Sequence, residues 1–135
     1  MPKMMAHRSA LEVTSADKID DPAYRTNLVE LPRIISSWVE DYLQLESSRI
    51  LDFGCGDGTT ALGFALYSRA RSVVGVDIME GPDHCAPLAQ KHLGLRDLPA
   101  KLSLHRVLPG NLHNTVDRFD LIYSWSVFEH VEQNR

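Results

Sequence analysis

The most constraining feature of this chain is a seven-residue run, Asp52-Phe53-Gly54-Cys55-Gly56-Asp57-Gly58, in which three glycines take alternate positions. Before it, Arg49-Ile50-Leu51-Asp52-Phe53 reads as a short buried strand. After it, Thr59 to Ser68, apolar along one side, reads as a helix. Glycine admits backbone angles that side chains resist and carries no Cβ to hold a ligand away. Three glycines so close together cost conformational entropy that a bare turn need not incur, so the run reads as a binding turn. The helix that follows points its free N–H groups at whatever the turn holds.

The same alternation of strand and helix continues. Ser72-Val73-Val74-Gly75-Val76 is a second buried strand ending at Asp77. A helix from Pro87 through Leu93 stops at Gly94, and Leu102, Leu104 and Arg106 alternate as a third strand. Phe119 to Ser124 reads as a fourth strand, and a helix begins at Val127. Upstream, Ile34, Ile35, Trp38, Val39, Tyr42 and Leu43 recur at helical spacing after Pro32, so Trp38 and Tyr42, like Phe64, are expected in the core. Residues 1–30 read as an arm or a pair of short helices, and residues 31–135 as the domain. Strands separated by helices, with continuously apolar strands such as VVGV and LIY, predict an α/β fold. It is a Rossmann-like parallel sheet with helices on both faces, truncated after the fourth strand.

Composition narrows the class. With 14 Lys+Arg against 18 Asp+Glu the formal charge is −4, which gives no general electrostatic grip on nucleic acid or anionic membrane. No stretch approaches the ~18 apolar residues of a membrane span, and residues 1–20 have no apolar core of signal-peptide length. Two cysteines, Cys55 and Cys85, fit a reducing compartment, so a cytoplasmic protein is expected. The six histidines and the cysteines show no C-x-x-C or H-E-x-x-H spacing, so no metal is expected.

The dinucleotide fingerprint G-x-G-x-x-G needs its third glycine at 59, where Thr59 stands, and the triphosphate loop needs a lysine that does not follow. Both phosphate readings are weakened. Asp77, at the end of the second strand, stands where an acidic side chain in this fold accepts the two hydroxyls of a ribose. A turn or helix-cap aspartate is the alternative.

RILDFGCGDGTTALGFA, SVVGVDI and RFDLIYSWSVFEHV together resemble the successive motifs of class I S-adenosylmethionine-dependent methyltransferases, from about Ile34 to the last residue. The resemblance implies S-adenosyl-L-methionine as cofactor. Gly54, Cys55 and Gly56 would line its methionine and ribose part, and Asp52 would help hold its amino group. Asp77 would bind the ribose hydroxyls, and Ile78 would pack on the adenine. Asn111 would take the adenine amino group, and Leu112 and Ser124 would also belong to the cofactor site. The family sheet is ordered 3-2-1-4-5-7-6, of which this chain supplies the first four strands. Tyr123-Ser124-Trp125-Ser126 departs from the N/D-P-P-Y/F signature of enzymes that methylate DNA bases. Val127-Phe128-Glu129-His130-Val131 resembles the small-molecule, lipid and sugar branch, so a methyl acceptor reacting at oxygen or carbon is implied.

A hydroxyl acceptor needs a base, and His130 or Glu129 is the candidate. The cofactor methyl is already activated, so alignment of the acceptor is the main demand on the protein. A non-catalytic module that binds cofactor or partner is the second reading, and a nicotinamide-dependent oxidoreductase the third. Strand four would present an apolar edge, so self-association or a further C-terminal segment covering it is expected.

Overall fold

Short apolar runs with β-branched residues build the sheet, and the glycine turn and two further breaks separate its strands. The structure, a computed structural model, describes residues 18–108 and 118–125. The strands are β1 (Arg49–Phe53), β2 (Ser72–Asp77), β3 (Leu102–Arg106) and β4 (Leu121–Tyr123), all parallel in the order β3-β2-β1-β4. This is the expected 3-2-1-4 order. The chain leaves β3 at one edge and returns beside β1 at the other, so β1 and β4 form the topological switch point. In open α/β sheets, ligands bind outside the carboxyl ends of the strands at that point.

The helical elements are α1 (Pro22–Arg25), a π-helical stretch (Thr26–Glu30), α2 (Leu31–Val39), α3 (Thr59–Tyr67), a 3₁₀ turn (Gly81–His84) and α4 (Cys85–Leu93). Asp21 caps α1 by accepting the Tyr24 N–H at 3.1 Å. Gly94, at φ +69°, ends α4 in the left-handed conformation that glycine adopts freely. The main core joins Leu28, Ile35, Leu62, Phe64 and Ala89 from the helical side to Ile50, Val73, Leu102 and Tyr123 of the sheet. On the other face Leu51, Val76 and Val107 form a smaller cluster with Phe53, Val74 and Phe119. No residue of the described helices joins that cluster, and the helix expected from Val127 lies outside the described residues.

Four expectations need correction. The helix after Pro32 ends at Val39, not Leu43, where Tyr42 and Leu43 both donate their N–H groups to the Val39 carbonyl in a turn. Trp38 and Tyr42 are therefore not core: they are 60% and 88% exposed. The buried stripe of α2 is Leu31, Pro32 and Ile35, and Trp38 lies in its last turn, stacked on Trp125 with ring centroids 6.1 Å apart. Phe64 is buried as expected. The fourth strand is shorter than 119–124, and α4 begins two residues before Pro87, at Cys85, because the 3₁₀ turn leads directly into it.

Candidate functional site

The glycine turn leaves β1 with Gly54, Gly56 and Gly58 at φ +78°, +59° and +81°, angles at which any side chain is strained. The N–H groups of Gly54 and Cys55 donate to the Val76 carbonyl at 2.8 and 2.9 Å, tying the turn to the end of β2. A Cβ placed on Gly56 meets nothing within 4 Å, so the space beside that residue is open. Gly81 presses on the turn from the other side: a Cβ there would overlap the Gly56 carbonyl oxygen and stand 3.1 Å from the Asp57 nitrogen. Sequence reading missed Gly81. Its signal, a glycine shortly after the strand-ending aspartate, becomes meaningful only once the two loops are seen in contact.

Three carboxylates surround this turn. Asp77 accepts the Gly56 N–H at 2.7 Å through one oxygen and the Met79 N–H at 2.9 Å through the other. Asp77 is thus a turn aspartate, and the same bonds fix its carboxylate at the rim of the open space. Asp57 accepts the Thr59 N–H at 3.0 Å, placing a negative charge at the N-terminus of α3. Asp52 is 3% exposed and accepts the Tyr123 hydroxyl at 2.8 Å. Burial, reinforced by Asp77 and Asp57, pushes the Asp52 carboxyl up to about 7 against the opposing pull of the Tyr123 hydrogen bond. A pyrophosphate entering here would meet carboxylates where a phosphate site offers free N–H groups. The arrangement suits a ligand that carries hydroxyls and positive charge.

Other expected residues fall as follows. Ile78 is exposed, directly after Asp77. The Cys55 side chain turns inward, toward Gly75, so only its backbone faces the turn, and burial raises its thiol far above the ordinary range. The Ser124 hydroxyl is buried at the end of β4, with no hydrogen-bond partner among the described residues. Asn111, Leu112, Glu129 and His130 lie outside the described residues. Tyr123, read from sequence only as part of a strand, is brought against Asp52 by the β1–β4 register. A cavity of about 630 Å³, lined by Glu46, Arg69, Pro99 and Lys101 among others, sits at the opposite end of the strands. Its volume alone does not make it the site, because it lacks the switch-point position and the open glycine turn. Among the described residues no group of three or more His, Cys, Asp or Glu could hold a metal ion, and no helix is long and apolar enough to cross a membrane.

Comparison with known proteins bears on this geometry. A family model described as a methyltransferase domain matches residues 28–134. The ubiquinone biosynthesis O-methyltransferase of Azotobacter vinelandii is 29% identical over 104 residues, which cover 77% of this chain and 42% of that protein. The enzyme of the same name from Dechloromonas aromatica is 30% identical over 97 residues, covering 70% and 38%. The chain thus spans about two fifths of the length of these curated relatives. Among solved structures, coclaurine N-methyltransferase bound to N-methylheliamine and SAH matches with a TM-score of 0.55 at 14% identity, covering 96% of this chain and 44% of that one. Magnesium protoporphyrin IX methyltransferase from Synechocystis PCC 6803 matches with a TM-score of 0.52 at 20% identity, covering 76% and 46%. These two likenesses establish the shared fold. The match over most of the chain shows that it belongs to the methyltransferase-domain family, the Rossmann-like, S-adenosylmethionine-dependent methyltransferases.

Proposed function

We propose that this chain binds S-adenosylmethionine at the glycine turn and transfers its methyl group to a small-molecule acceptor, at a hydroxyl oxygen. The observation that carries the reading is the open, side-chain-free space at Gly56, with the Asp77 carboxylate bonded to the Gly56 N–H, Asp57 at the start of α3 and the buried Asp52 at the end of β1. The cofactor carries an ammonium, a sulfonium and two ribose hydroxyls, and each has a counterpart in such a cradle. A nicotinamide dinucleotide brings a pyrophosphate instead, which Asp57 at the start of α3 opposes.

In this reading Asp77 receives the ribose hydroxyls, its position fixed by the N–H groups of Gly56 and Met79. The backbone at Gly54, Cys55 and Gly56 lines the methionine and ribose part. Asp52 faces the amino group, Ile78 covers the adenine, and the unpartnered Ser124 hydroxyl stands ready for a polar group. Asn111 and Leu112 complete the adenine end. The bound cofactor supplies an already activated methyl, so the chain's own task is to align the acceptor and to take its proton. His130, with Glu129 beside it, is assigned that proton transfer. The oxygen acceptor is supported by the relatives named ubiquinone biosynthesis O-methyltransferase. Two free cysteines are consistent with a reducing, cytoplasmic setting.

The test is incubation of the chain with S-adenosylmethionine and a panel of phenols and catechols, with methylated product read by mass spectrometry. Product that disappears in His130→Ala, while cofactor binding persists, supports the reading. Cofactor binding without transfer to any acceptor favours a binding module instead.

A further inference from the structure

β1 and β4 are already joined by their backbone register from Ile50↔Leu121 to Asp52↔Tyr123. Asp120 ties the lower end as well: its N–H donates to the Arg49 carbonyl and its carboxylate accepts the Arg49 N–H, both at 2.8 Å. Strand pairing therefore does not need the side-chain bond between Tyr123 and Asp52 at the upper end. That bond is also expensive. It places a carboxyl and a phenol in the core, with the Tyr123 ring 5.3 Å from Phe64, where an apolar pair would pack without desolvating anything. The pair sits directly beneath the glycine turn, at the switch point.

We propose that Tyr123 is a positioning residue for cofactor binding: its hydroxyl holds Asp52 as an oriented carboxylate, so that Asp52 can receive the positively charged amino end of the ligand. This rests on the S-adenosylmethionine reading above and adds a residue to it. The groups facing Asp52 are Tyr123 from β4, Asp77 from the end of β2, and Asp57 and Cys55 from the turn. Burial and the two neighbouring carboxylates favour the protonated, uncharged acid. The Tyr123 bond opposes them, and without it Asp52 would be neutral over much of the physiological range. Tyr123 stays a donor throughout, because its own phenol is pushed well above the ordinary range by burial and by Asp52.

The experiment is calorimetric titration with S-adenosylhomocysteine between pH 6 and 8.5, on the wild-type chain, Tyr123→Phe and Asp52→Asn. Carbon-13 NMR of the Asp52 carboxyl in the ligand-free chain accompanies it. Wild-type affinity is expected to fall as pH drops through about 7. In Tyr123→Phe the midpoint moves up by about one pH unit, so affinity at pH 7 drops roughly fivefold, about 1 kcal/mol, and recovers toward wild type at pH 8.5. Asp52→Asn removes the pH dependence. A Tyr123→Phe chain with the wild-type profile, or one weakened equally at every pH, overturns the proposal. If Tyr123→Phe does not fold, 3-fluorotyrosine incorporation strengthens the donor with the ring intact, and the Asp52 midpoint must fall; no movement overturns the proposal. If the wild-type chain binds no S-adenosylhomocysteine at any pH, the functional reading fails, while the NMR titration still decides whether Tyr123 sets the charge of Asp52.

Discussion

Gly81→Ala and Gly94→Ala make a matched pair that separates steric from conformational cost. At Gly81 the added methyl carbon would lie 2.6 Å from the Gly56 carbonyl carbon and closer still to its oxygen. Carbon atoms rest about 3.5–4.0 Å apart, so one of the two loops must retreat by about 1 Å. Both obstacles are backbone, and no rotamer change relieves them. Overpacking of this kind costs roughly 1–3 kcal/mol, which in a domain of this size lowers Tm by about 3–15 °C. Because the displaced segment is the glycine turn, the affinity for S-adenosylhomocysteine should fall at least tenfold. At Gly94 the methyl meets nothing within 4 Å, but φ is +69°. The cost there is the left-handed strain of a side chain, about 1–2 kcal/mol, at a helix end remote from the turn. The two variants should therefore lose comparable stability while only Gly81→Ala loses affinity. Calorimetry and thermal melting decide it. A Gly81→Ala chain that melts and binds like wild type would refute the contact between the 3₁₀ turn and the glycine turn.

Gly63→Ala should destabilise the chain by roughly 1–2 kcal/mol, although helix propensity alone favours alanine by about 1 kcal/mol. The new Cβ would overlap the Leu28 carbonyl oxygen and stand 2.8 Å from Pro32 Cγ, and a stabilised variant in denaturant titration would contradict that packing. Asp52, raised in the folded chain, makes a contribution that is present below about pH 4 and lost as pH rises to about 7. Asp52→Asn should accordingly stabilise the chain by roughly 2–4 kcal/mol at pH 8 and far less at pH 4, and an equal effect at both pH values in urea unfolding would oppose it. Among the described strands β4 pairs with β1 alone, and Ile122 on it is 61% exposed. Self-association giving a light-scattering mass well above 15.2 kDa is therefore expected, against which a clean monomer that unfolds cooperatively would count.

Much of this architecture is legible in the sequence, because the strands are buried and contiguous. Ile50-Leu51 and Val73-Val74 announce β1 and β2, and the glycines between β1 and α3 mark the turn where the backbone takes positive φ. Asp77 is legible because it ends a strand, and its bond to Gly56 shows how the turn and that strand are joined. What the sequence conceals is pairing at a distance. Tyr123 and Asp52 are 71 positions apart, and only the β1–β4 register brings them together. Gly81 carries no periodic signal, and its importance lies in the backbone of another loop. The helix ending at Val39 misleads for a different reason: the apolar spacing continues through Tyr42 and Leu43, but the chain turns before α2 can carry them onto the core.

The central claim is that the glycine turn with Asp77 is a cofactor site, and calorimetric titration with S-adenosylhomocysteine tests it most directly, on the wild-type chain and on Asp77→Ala. Micromolar binding at pH 8, weakened tenfold or more by Asp77→Ala, about 1.4 kcal/mol, is the predicted result. A folded wild-type chain that binds nothing, or one that binds equally well without the Asp77 carboxylate, would contradict it.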